Sequence, residues 1–220
     1  MGGDNNIQVD LFLPRRREWV LRIIQVPQQP KTGDREPVMD SLYEVVDAAG
    51  ALEYSRKALL RVIAIAQDEF NRLKLDRNPP RWADANTPAV YYEFCNAVAW
   101  TRTVDDRWKD QLQPALEHDK ILWKQLQRIR TESAAQRFED ARQLARCSLH
   151  KFTPPYANAG ARVDGGTLIY PVPDKIVNSD KFRLNLRFDS GRHAGAVVED
   201  YWSAVSSFIE KVLDVFYPKK

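Results

Sequence analysis

The stretch ARQLARCSLHKFTPP, Ala141 to Pro155, decides how the rest of the chain is read. Ala141, Leu144, Ala145 and Leu149 recur at three and four residues, the spacing of one helix face, until Pro154 and Pro155 stop the pattern. The same stretch carries Arg142, Arg146 and His150 at i, i+4 and i+8, one row along one side of a helix. Two guanidinium forks and an imidazole that can hold a proton near neutral pH suit an anion or a phosphate. The competing reading is a solvated helix end, where cations favour the macrodipole and His150 meets the last carbonyls.

Upstream, Ile121 to Lys151 is the longest uninterrupted helical pattern, weakest in apolar residues at Thr131–Gln136, where a bend or exposed turn is expected. Before it, Asn86 or Thr87 is expected to cap a helix with Pro88 just inside, running through Val90, Tyr91, Phe94, Val98, Trp108 and Leu112 to Pro114. Within it Arg102, Asp105 and Asp106 are expected to form ordinary local ion pairs rather than a buried network. Asp76 to Trp82 (DRNPPRW) is a break. Ala51 to Leu73 is an amphipathic helix of about six turns. A shorter helix over Pro37 to Val46 is expected to be interrupted by Ala48, Ala49 and Gly50. Residues 1–36 read as a polar extension with one apolar piece, Glu18 to Val26, that fits strand or helix equally. Its Arg15–Arg16–Arg17 run reads as a solvated cluster more readily than as a phosphate contact.

Downstream, Thr153 to Asp180 holds four prolines and three glycines, yet Thr167–Tyr170 and Phe182–Phe188 alternate as short strands do. A small β-hairpin or flap folded against helices is expected there, since the segment keeps Tyr156, Leu168, Tyr170 and Ile176. Asp189, Ser190 and Gly191 are expected to cap a last helix, Arg192 to Tyr217, whose broad apolar stripe includes Val198, Tyr201, Val205, Phe208 and Leu213. At its entry Arg192 and His193 stand beside backbone N–H groups and form a second anion candidate, although capping alone explains Ser190 and Gly191. The expected fold is mainly α: an antiparallel bundle of four to five helices over residues 37–220, with a small Pro/Gly-rich β insert at about 153–190 before the last helix.

The 220 residues, 44% apolar with six Trp, eight Tyr and nine Phe, suffice for a sizeable core. Thirty-three Lys and Arg against 30 Asp and Glu leave +3, which gives no case for a dedicated non-specific nucleic-acid binder. Cys95 and Cys147, each in a helical pattern, suit a reducing compartment and exclude a disulfide framework. Three His and two Cys without CxxC, HxxxH or HExxH spacing predict no metal site and no cofactor. The first residues, MGGDNNIQVDLF, lack the basic and apolar regions of a signal peptide, and no apolar run spans a bilayer. A cytoplasmic protein without membrane contact is the expectation.

A long helix with Arg-x-x-x-His near its end, a Pro-rich excursion and a closing helix together resemble the HEPN family (higher eukaryotes and prokaryotes nucleotide-binding domain). Arg146 and His150 in LARCSLHKFTPP carry the resemblance, which extends loosely over Ala51 to Tyr217. It implies a helical bundle, a homodimer, and RNA or a nucleotide as partner. It further implies a metal-independent ribonuclease of a defence or toxin–antitoxin type, with Arg146 and His150 catalytic. Arg142 and Ser148 would then help hold phosphate. The chain departs from the family pattern: the three residues between Arg146 and His150 are fewer than usual, the seven after Arg142 are more, and Cys147 stands where a polar residue usually follows the Arg. A non-catalytic helical interaction or dimerisation protein, docking through an aromatic surface of Tyr91, Tyr92, Trp100 and Trp108, is the alternative from another class.

Overall fold

A proline at a first helical position loses nothing by lacking an N–H and comes with helical φ already set, and Pro14 opens the first described helix this way. The computed structural model describes residues 13–25, 36–74, 83–116, 118–150, 161–180 and 183–217. Helix α1, Pro14–Gln25, resolves the ambiguous apolar piece. In a strand Trp19, Leu21 and Ile23 would share a face; here Trp19 and Ile23 are buried while Leu21 is 39% exposed, the helical spacing.

Helix α2, Glu36–Lys74, runs unbroken for 39 residues through the expected interruption at Ala48, Ala49 and Gly50. Ala48, Ala49 and Gly50 are all buried, and α1 lies against Gly50, where an added Cβ would collide with Cδ of Arg16. Glycine inside a helix costs roughly 1 kcal/mol against alanine. The space it leaves lets Arg16 lie flat and donate to Asp47 at 2.8 and 3.0 Å. The Arg16 backbone N–H, one of the donors without an intrahelical partner in the first turn of α1, points to the buried carboxylate of Glu53 at 3.4 Å.

Helix α3 spans Ala83–Arg107, beginning ahead of the expected cap at Asn86 or Thr87. It widens into a π-helical turn, Trp108–Leu112, and closes with a short turn, Gln113–Ala115. Pro114 accounts for the widening, since in α register its ring would meet the Asp110 carbonyl. The Gln113 N–H reaches the Trp108 carbonyl, five residues back. Asp119 then caps α4, Lys120–Ser133, its carboxylate accepting the Leu122 N–H at 2.9 Å. The weak apolar segment at Thr131–Gln136 is a true break: Ala134 leaves helical geometry with φ −140°, and α5 starts afresh as Ala135–His150. Among the described residues the longest helix is therefore α2 rather than the 121–151 pattern.

Among its described residues the insert forms two antiparallel strand pairs. Strands β1 (Arg162–Asp164) and β2 (Thr167–Ile169) turn at Gly165 and Gly166, whose φ of 53° and 86° favour glycine. Strands β3 (Pro171–Asp180) and β4 (Arg183–His193) form the second. Helix α6, Ala194–Phe216, closes the described chain. The fold is thus mainly α with a small β insert before the last helix, as the sequence predicts. The DRNPPRW break and the Pro154–Pro155 stop lie outside the described residues.

The chain divides into two compact units, one made of 1–54, 100–139 and 201–220, the other of 55–99 and 140–200. In the first, Trp108 stacks on Trp123 at 5.4 Å and meets Phe208 edge-on, which in turn meets Phe138. Helix α1, inside the expected N-terminal extension, joins this core. The Trp19 indole donates to Glu210 at 2.7 Å, and Arg22 grips Glu210, Asp214 and the Tyr217 carbonyl. Arg102 and Asp106 make the expected half-exposed local pair at 3.1 Å. Asp105 does not: it is fully buried, with Lys109 and Arg130 both 2.6 Å away, a buried ionic node in place of an ordinary surface pair. The Arg130 guanidinium also lies over the Phe138 ring at 5.5 Å.

In the second unit, Leu59, Tyr91, Phe94, Tyr170 and Val198 are buried. Gln67 holds the first hairpin as a peptide group would: its amide nitrogen donates to the Gly166 carbonyl at 3.0 Å and its oxygen accepts from the Leu168 N–H. The Tyr91 hydroxyl donates to Pro171 and the Ala194 N–H to Tyr170, pinning the insert to α3 and to the start of α6.

Candidate functional site

Arg142 and Arg146 occupy successive turns near the C-terminal end of α5, and His150 is that helix's last residue. Helical spacing keeps the three positions on one side, as the sequence predicts. Ala141, Leu144 and Ala145 bury the opposite face. Arg142 is half-buried and engaged within the protein, whereas Arg146 is exposed and forms no ion pair among the described residues. The side chains of Cys147, Ser148 and His150 lie outside the described residues. What is visible is a backbone that sets the row and one guanidinium open to solvent.

The second anion candidate is arranged differently from expectation. Ser190 and Gly191 belong to β4, and α6 begins only at Ala194. Its first donors are already satisfied: the Ala194 N–H by the Tyr170 carbonyl at 2.8 Å, and the Ala196 N–H by Nδ1 of His193 at 3.3 Å. An imidazole nitrogen that accepts in this way caps the helix, as a serine oxygen would. Arg192 is half-buried and engaged. The entry to α6 therefore has two of its anion-binding donors spent on the chain itself, and His193 acts as a cap.

Two residues of the arginine run of α1 are taken up by ion pairs. Arg15 pairs with Glu18 at 2.9 Å and approaches Glu210 at 3.9 Å, Arg16 pairs with Asp47, and Arg17 alone of the three is exposed without an ion pair among the described residues. Of the aromatic residues read as a docking surface, Tyr91 and Trp108 are core, while Tyr92 is 67% and Trp100 39% exposed. Cys95 is a half-buried thiol, its pKa pushed up to about 11 by desolvation, so it is almost wholly protonated near neutral pH.

A feature missed in the sequence is a groove of about 540 Å³ lined by Asp40, Ser41, Glu44, Arg107, Asp110, Gln111, Pro114 and Ala115. Asp40 and Glu44, like charges at i and i+4 with no cation between them, were its available signal. Arg107 reaches Glu44 at 3.5 Å, and the Ser41 hydroxyl donates to the Gln111 carbonyl at 3.2 Å. Burial and the nearby Asp40 carboxylate raise the Tyr43 pKa above the usual phenol range. Among the described residues no three His, Cys, Asp or Glu side chains gather as a metal site would require, and no helix is long and apolar enough to cross a membrane. No known protein family, curated protein or solved structure matches the chain.

Proposed function

We propose that the chain is an HEPN-like helical protein that acts on RNA or a nucleotide at the C-terminal end of α5, as a metal-independent endoribonuclease. One observation carries this reading: Arg142 and Arg146 lie one turn apart on a helix that ends at His150, with Arg146 open to solvent.

In the proposed chemistry a ribose 2′-oxygen attacks the adjacent phosphorus while the bond from phosphorus to the leaving 5′-oxygen breaks. His150 takes the 2′-hydroxyl proton or supplies one to the leaving oxygen, a role suited to an ordinary imidazole. Arg146 meets the extra negative charge on the phosphorane; preorganised donors of this kind are worth roughly 3–4 kcal/mol. Arg142 and Ser148 orient the phosphate. One imidazole serves as acid or base but not both in a single step, so a second His150 from a homodimer mate completes the pair. The proposed setting is the cytoplasm, in a defence or toxin–antitoxin role.

The test is cleavage of a labelled single-stranded RNA in the presence of EDTA. Arg146→Ala and His150→Ala are each expected to lower the rate by about a hundredfold or more, with melting temperature unchanged. Variants that cleave as well as the parent, or that unfold, refute the assignment.

A second reading, a non-catalytic docking or dimerisation module, is favoured by Tyr92, an aromatic side chain two-thirds exposed on α3. Under it, Tyr92→Ala abolishes self-association in sedimentation while the RNA assay stays blank for every variant.

A further inference from the structure

We draw no further inference here: the strongest candidate, the acid-lined groove of Asp40, Glu44 and Asp110 beside the π-helical turn of α3, rests on an acidic cluster with no buried unpartnered polar group aimed into it, and nothing in the structure shows what covers it.

Discussion

Replacing Asp105 with Asn removes one negative charge from a fully buried position and leaves two cations facing a neutral amide. Breaking a buried ion pair by removing one partner costs about 3–5 kcal/mol, because the remaining charge is left uncompensated. In a chain of this size 1 kcal/mol moves the midpoint by roughly 2–4 °C, so D105N is expected to melt about 6–20 °C below the parent. Exposure sets the order of the partners. Arg130 is 15% and Lys109 36% exposed. Lys109→Met strands little charge and should cost no more than about 1 kcal/mol. Arg130→Met gives up its bonds to Asp105 and its place over Phe138, a loss of about 1.5–3 kcal/mol. Replacing all three together with Leu, Met and Met should recover most of the D105N loss, since apolar side chains of similar volume often match a buried ion cluster. Thermal unfolding followed by circular dichroism reads all four. The reasoning fails if D105N melts within about 2 °C of the parent, or if Lys109→Met costs more than D105N.

Four further outcomes follow from the geometry. Gln67→Leu removes both bonds to the first hairpin, at about 1 kcal/mol each, and hydrogen exchange at Leu168 should quicken by about tenfold or more while α6 keeps its protection; equal exchange would deny the clasp. Tyr170→Phe deletes a buried hydroxyl with no hydrogen-bond partner among the described residues, and should leave stability unchanged or raise it by up to about 2 kcal/mol; a loss of stability in a urea titration would mean the hydroxyl is bonded. In a Cys147→Ser chain, Cys95 with a pKa of about 11 is only about one part in a thousand thiolate at pH 8, so thiol labelling should be slow when folded and fast in urea. If Arg146 touches a phosphate, Arg146→Ala should reduce the salt dependence of RNA binding by about 0.7 in log–log slope; an unchanged slope places the contact elsewhere.

What the sequence disclosed depended on how local each determinant was. The apolar stripes of α2 and α6 and the weak segment at Thr131–Gln136 announced themselves, because helical periodicity and its lapse are written within one turn or two. Gly50 did not, because a small residue reads as an interruption unless one knows that Arg16, on another helix, fills the space. Asp105 looked like a surface acid beside Arg102, and its burial depends on Arg130, which comes from α4. His193 became a cap because β4 runs to the very start of α6, where Asp189, Ser190 and Gly191 had suggested the cap themselves. The Arg142–Arg146–His150 row was visible from spacing alone. The engagement of Arg142 and the openness of Arg146 are set by neighbours that no local pattern names.

The make-up of the two units has a practical consequence for dissecting the protein. Each is stitched from separate runs of chain, three in one and two in the other. No single gene fragment encodes either of them whole, and a deletion from one terminus removes part of a unit rather than a module. Genetic dissection by truncation would therefore produce misfolded stumps whose silence says nothing about activity. Single-residue exchanges, or two co-expressed fragments that reassemble, are the tools this architecture admits.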